Sequence, residues 1–402
     1  MIEKMTKPLE VLGLTAPQIQ AGGATWTARE IAQQPQMWTE IAQRTAADAA
    51  LSRFLAPLLG KPGLRVVLTG AGTSSFIGEC LAPALARTGA RADAIPTTDI
   101  VASPQSGLAQ GTPTLMVHFA RSGNSPESVA AMDLAEQRIE SCSHLIVTCN
   151  AEGALYRSAG RVRHSHAMLL PQGCNDQSFA MTSSFTGMLL AAGIALGALS
   201  IDDSRAARLA RLGTQAMTSC LPVITSLVRA QFDRVVYLGS GELKGLAREA
   251  SLKMLELTDG RVVSIADAPL GFRHGPKTIL NGSTLAVVFL SNDPYTRRYD
   301  LDLLAELRRD GMAGQVIALA NRAGIPEHPD TLILDDGGTP ETIAGPGMDT
   351  LADLALCLPY AVFAQALAIQ RSLSLGLSPD NPNAAGTVNR VVQGVSIYPY
   401  GR

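Results

Sequence analysis

"LRVVLTGAGTSSFIGECLAPAL" (residues 64–85) reads as an apolar strand, a Gly-x-Gly turn trailing hydroxyls, and an apolar-periodic helix. The same unit recurs as "DRVVYLGSGELKGLAREASLKMLEL" (233–257), again Arg-Val-Val, Gly-x-Gly and a helix. The two glycine pairs, Gly70–Gly72 and Gly239–Gly241, lie about 170 residues apart, the size of one α/β domain. Further β-type runs follow each copy: "TLMVHFA" and "HLIVTC" after the first, "STLAVVFL", "QVIALA" and "TLILDD" after the second. Stretches such as "SPESVAAMDLAEQRI" and "RRYDLDLLAELRRDG" supply helices between them. Strands alternating with helices predict parallel sheets covered on both faces. The expected fold is therefore α/β, with two doubly wound, flavodoxin-like parallel-sheet domains in tandem at 51–215 and 216–375. A helical N-terminal extension (1–50) precedes them, and a C-terminal tail (376–402) is expected to close the site.

Composition narrows the function classes. The chain has 402 residues, 46% apolar and 17% charged, which suits a packed globular protein rather than a disordered one. Net charge is −2 with both signs dispersed, so no basic stripe points to nucleic acid or to a membrane surface. An apolar run at 188–199 is too short to span a bilayer and holds two glycines; a buried helix is expected there. The N-terminus "MIEKMTKPLE" is charged early and lacks the apolar core of a signal peptide. Six cysteines without a C-x-x-C read as reduced thiols of a cytoplasmic protein. His164 and His166 are close in sequence, but no carboxylate or cysteine at useful spacing joins them. They read as surface residues, and no metal site is expected.

The glycine turns do not complete a dinucleotide fingerprint. Ser75 and Lys244 stand where the third glycine belongs, and no GxxxxGK[ST] loop is present. No NAD or ATP cofactor is therefore expected. Thr73, Ser74 and Ser75 would instead sit at a helix N-terminus, where free N–H groups and the helix dipole favour an anion. "RSGNSPES" (121–128) repeats the device one strand later, with Ser122, Asn124 and Ser125 ahead of a second helix. Plain N-capping is the alternative, worth about 1 kcal/mol for each helix. One capping residue suffices for that. Two clusters at adjacent strand ends point to a phosphate monoester in the crevice of an open α/β sheet.

On the motifs "LTGAGTSSFIG", "RSGNSPESVA", "DQSFAMTSSFT", "LGSGELKGLAREASLKMLELTDG" and "GFRHGPKT", the chain resembles the sugar-isomerase (SIS) domain family from about residue 50 onward. "PYTRRYDLDLLAELRRD" and "GTVNRVVQG" resemble one branch of it. That branch was described first as tagatose-6-phosphate ketose/aldose isomerases and later as galactosamine-6-phosphate deaminases. By similarity to the isomerase half of glucosamine-6-phosphate synthase, Thr73, Ser74, Ser122 and Ser125 fall at sugar-phosphate positions, with Thr182 nearby. Arg121 and Ala120 stand where that enzyme has other residues. Lys253 and Glu256 fall on the helix that carries the proton-transfer carboxylate, and His274 falls where a histidine from the partner subunit opens the sugar ring. The resemblance thus implies a homodimer or larger assembly with shared sites, and an amino-sugar phosphate as substrate.

Without the resemblance, Lys253 and Glu256 at i, i+3 would read as an ordinary helix pair, and His274 as structural. The synthase activity itself is excluded on chemical grounds. Its Schiff base needs a tail lysine, and no Lys follows Lys277. Thr387 and Arg390 occupy that neighbourhood. Isomerase and deaminase share every group named here, and a non-catalytic sugar-phosphate sensor is the third alternative. The helix in "GELKGLAREASLKMLEL" (241–257) is expected to bury Leu246, Ala250, Met254 and Leu257. Glu249, Lys253 and Glu256 at i, i+4 and i+7 would then share an adjacent face.

Overall fold

The structure, a computed structural model, describes residues 10–162, 164–321, 328–335, 351–392 and 394–401. The start of the N-terminal extension and parts of the tail expectation (Gln393, Arg402) lie outside those residues.

The first sheet comprises β1 (Arg65–Thr69), β2 (Arg91–Ala94), β3 (Thr114–Ala120), β4 (Cys142–Thr148) and β5 (Ser165–Leu169). The strands are all parallel, in the order β2-β1-β3-β4-β5. The second holds β6 (Arg234–Leu238), β7 (Val263–Asp267), β8 (Thr284–Phe289), β9 (Gln315–Ala320) and β10 (Thr331–Ile333). Read from its β7 edge it runs β7-β6-β8-β9-β10, again parallel throughout. That is the first sheet's order repeated, and it is the flavodoxin-like order. The central strands β1, β3, β4 and β8 are buried along their whole length, as strands covered by helices on both faces must be.

Both Gly-x-Gly turns have the same backbone. Gly72 and Gly241 each take φ +55°, which disfavours any side chain, and a Cβ on Gly70 would meet the Ser74 backbone at 2.7 Å. Chain and helix can approach so closely only without side chains there.

The helices after the two turns, Thr73–Arg87 and Glu242–Leu257, pack on each other. Gly245 permits this, since a Cβ there would lie 2.7 Å from the backbone nitrogen of Cys80. One apolar cluster runs from Val66, Leu68 and Phe119 under the first sheet to Tyr237, Phe289 and Leu319 under the second. The helix Asp353–Ser374 fills the middle of that cluster with Leu354, Leu358, Val362, Phe363, Leu367 and Ile369. By length and composition this helix could cross a membrane, but it is buried inside the fold. The run at 188–199 lies largely in the buried helix Ser183–Ala195. Ahead of the first sheet stand helices Ala16–Ala21, Thr25–Ala32, Gln34–Ala47 and Ala49–Leu59. All six cysteines are buried and unpaired.

Candidate active site

Helix Glu242–Leu257 turns Leu246, Ala250, Met254 and Leu257 into the core. This fixes where the next face points. Glu249, Lys253 and Glu256 lie there together. The Lys253 ammonium is fully buried and donates to Thr73 Oγ1 at 2.9 Å. It forms an ion pair with Glu256 and lies 3.6 Å from a Glu249 carboxylate oxygen. A lysine from the second copy of the repeated unit is thereby tied to the hydroxyl turn of the first.

Burial separates the two carboxylates. Glu249 is 1% exposed, and neither of its oxygens has a hydrogen-bond partner among the described residues. Burial pushes its carboxyl up to about 8, against the pull of the Lys253 ammonium. Glu256 keeps a quarter of its side chain exposed, so it can reach a substrate. For Lys253, burial opposes the charge, but Glu249 and Glu256 together outweigh it and hold the amine above its ordinary value.

The hydroxyl clusters sit at the carboxyl ends of β1 and β3, neighbours in the sheet. Neither helix that starts there is capped by a side chain. Ser75 Oγ donates to the Gly72 carbonyl at 2.7 Å, and Ser74 Oγ lies 3.7 Å from Met181 Sδ. Ser122 Oγ accepts from the Asn124 amide at 3.3 Å, Ser125 Oγ pairs with Ser128 Oγ at 2.6 Å, and Asn124 Oδ1 holds the Ala154 amide at 2.9 Å. The capping alternative thus fails for both helices. Thr182 is different: its amide and hydroxyl both donate to Asp176, at 2.7 and 3.2 Å, within a cap that also takes the amides of Ser183 and Ser184. The structure commits that side chain to a fully buried cap.

Arg121 is buried, and its guanidinium donates to three carbonyls: Ser178 (3.2 Å), Phe179 (3.1 Å) and Arg390 in the tail (2.8 Å). Burial, then the like charge of Arg390, lowers its pKa, while Asp176, Glu256 and Glu30 counter them. Arg390 in turn donates to the Asp176 carbonyl. Further up the tail, Asn383 accepts from Thr387 and donates to Asp259, just beyond the Glu256 helix. The segment 383–390 therefore bridges the two halves of the site.

His274 stands apart. It is exposed, and no hydrogen bond or ion pair links it to Lys253, Glu256 or the hydroxyls among the described residues. Its loop is held in place nonetheless: Arg273 binds Asp302 and Glu306, and Lys277 binds Glu306 and Asp310.

The SIS domain family matches residues 58–197. An AgaS protein of Streptomyces coelicolor is 50% identical over 381 residues, covering 93% of this chain and 96% of its own length. The chain belongs to the AgaS family of SIS-domain proteins. The D-galactosamine-6-phosphate deaminase AgaS of Escherichia coli is 46% identical over 384 residues, covering 94% of this chain and 97% of its own. Among solved structures, the tagatose-6-phosphate ketose/aldose isomerase of Escherichia coli superposes with a TM-score of 0.84 at 42% identity, over 94% of this chain and 98% of that one.

Two buried acids beside this candidate site are absent from the sequence reading. Glu30 accepts from the Gln177 and Ser178 amides and the Ser178 hydroxyl, and burial, then Asp176, pushes its carboxyl up to about 7. Its partners lie 147 residues or more away, so no local pattern marks it. Asp176 precedes a Ser/Thr run and could have been read as a cap residue.

Proposed function

We propose that the chain deaminates an amino-sugar 6-phosphate, converting galactosamine 6-phosphate to tagatose 6-phosphate and ammonia. The observation that carries this is the Lys253 bridge, with Glu256 on one side and the phosphate-loop residue Thr73 on the other. Ser74, Ser122, Ser125 and the open helix N-termini anchor the phosphate, with Asn124 shaping the loop. Arg121 holds the tail over the sugar. The anchored chain places C1 and C2 beside Glu256. In the open-chain aldose, Glu256 takes the C2 proton, the electrons move to the C1 carbonyl, and its oxygen takes a proton from solvent, giving an enolamine. The same carboxyl returns the proton to C1, which leaves a ketimine at C2. Water adds to that carbon, and ammonia departs as the ketose forms. Lys253 offsets the negative charge along this path, and Glu249, held neutral by burial, does not compete for it.

Ring opening needs an acid–base group. His274 is exposed on a braced loop and away from its own Glu256, an arrangement that suits service in a second copy's site within a homodimer. The names of the two Escherichia coli relatives differ in whether nitrogen is lost, and the same groups serve both reactions. Incubating the protein with galactosamine, glucosamine and tagatose 6-phosphates, with ammonia and ketose measured together, decides it. Stoichiometric ammonia from galactosamine 6-phosphate is expected. Interconversion of tagatose 6-phosphate without any ammonia from an amino sugar would establish the isomerase instead, and no turnover of any of them would leave a sugar-phosphate sensor.

A further inference from the structure

A second group of reactive side chains lies at the opposite end of the first sheet. Cys142 opens β4, and His144, two residues on, shares its face because side chains alternate along a strand. Glu136 reaches them from the last turn of helix Pro126–Arg138. One ligand atom from each residue, a sulfur, a nitrogen and an oxygen, lies within 4.8 Å of the other two. His144 Nε2 is the hub, 2.9 Å from Glu136 Oε1 and 3.3 Å from Cys142 Sγ.

We propose that Glu136, Cys142 and His144 bind a divalent transition-metal cation of the zinc type. Ligand atoms on one tetrahedral zinc stand roughly 3.3–3.6 Å apart, from bond lengths of about 2.0–2.3 Å. The two distances from His144 Nε2 need to open by only a few tenths of an ångström, and the sulfur and the carboxylate oxygen lie within 4.8 Å of each other. A mixed sulfur, nitrogen and oxygen set favours zinc or cobalt over magnesium or calcium.

The surroundings are built for a ligand rather than for simple filling. His118, on β3, lies with Nε2 2.9 Å from His144 Nδ1, the rings stacked at 5.2 Å. This contact fixes the His144 ring so that its other nitrogen faces the thiol and the carboxylate, the usual way a second residue orients a metal-binding histidine. His118 and His144 are both buried, whereas the Glu136 side chain is 40% exposed. That carboxylate is the side of the cluster open to solvent. The histidine pair considered from sequence, His164 and His166, does not join this cluster; His166 stacks on Phe54 and faces Asp48 instead.

The test is a cobalt titration of the full-length protein after dialysis against a chelator. We expect a thiolate-to-cobalt charge-transfer band in the near ultraviolet and tetrahedral d–d bands, saturating at one equivalent and erased by zinc. Cys142→Ser should lose the charge-transfer band, and Glu136→Gln should bind cobalt at least tenfold more weakly. His118→Gln should weaken binding by about 10–100-fold while keeping the thiolate band. Sugar-phosphate turnover reports that each variant is folded, since the cluster lies at the far end of the sheet from the candidate active site. Should Cys142→Ser not fold, the exposed Glu136→Gln change decides alone. A wild-type protein without the charge-transfer band, or a Glu136→Gln protein with unchanged cobalt affinity, would overturn the proposal.

Discussion

The two sheets present the same crevice at their carboxyl ends and fill it with opposite chemistry. In the first, the turn after β1 and the loop after β3 carry Thr73, Ser74, Ser75, Ser122 and Ser125, with Arg121 beneath. In the second, the equivalent positions after β6 and β8 carry Glu242 and Asp293, backed by Asp300 and Asp353. The hydroxyls at that end are already spent. Ser240 donates to Asp300 at 2.7 Å, and Ser291 donates to Asp353. Glu242 pairs with Arg87, which crosses over from the first unit. A cleft of about 440 Å³ lies there, but carboxylates line it, and burial pushes Asp353 up to about 6. Arg87 lines it too but is paired with Glu242, so the remaining carboxylates leave the cleft negative and disfavour a phosphate. Fold topology therefore supplies the place for a ligand, and the few side chains after each glycine turn decide what can occupy it. The second copy contributes its helix instead, with Lys253 and Glu256 aimed into the first copy's crevice.

If the site is shared between copies, mixing inactive Glu256→Gln with inactive His274→Ala protein should restore turnover from near zero. Hybrid dimers then hold one intact site. No recovery after verified subunit exchange would confine the site to one chain.

A smaller effect concerns the buried carboxyl beside Lys253. Folded Glu249 holds its proton up to about pH 8, while the unfolded chain releases it near its ordinary value of 4.5. Between those values the folded state binds more protons, so stability falls as pH rises through the window, by on the order of a few kcal/mol. Urea unfolding of Glu249→Gln across that range should show the slope removed. An unchanged slope would mean that Lys253 keeps Glu249 ionised.

Smaller still, Ser122→Ala should raise KM for the phosphorylated sugar by about 1–3 kcal/mol, with kcat little altered. Ser240→Ala, at the matching end of the second sheet, should leave KM where it is. Equal effects at both ends would erase the contrast drawn between them.

The parts of this architecture that were legible in the sequence share a physical reason. β1, β3, β4, β6, β8 and β9 lie in the sheet interiors, so their composition announces them. β2 (Arg91–Ala94), β5 and β7 are edge strands whose runs are broken by polar residues such as Arg91, Asp93 and Ser264, whereas β10, also at an edge, is legible because its TLIL run is apolar. The face formed by Glu249, Lys253 and Glu256 follows from helix periodicity alone, and the structure brings those three together. What periodicity could not say is that Glu249 would be sealed off, since that depends on the helix Thr73–Arg87 packing over it. The links from Glu30 to Ser178 and from Arg121 to Arg390 were invisible for the same reason: each joins segments far apart in the chain. Thr182 carried a family expectation of substrate contact, and its hydroxyl is committed to Asp176.

The central claim is that Glu256 carries the C2 proton of an amino-sugar phosphate. It is tested most directly by proton NMR in deuterium oxide, following galactosamine 6-phosphate with wild-type and Glu256→Gln enzyme. The wild type should exchange the C2 proton and release ammonium. The variant should lose exchange and turnover together, by about 10²-fold or more in kcat, while KM stays near the wild-type value. A Glu256→Gln enzyme that still exchanged that proton and released ammonium at wild-type rates would contradict the account.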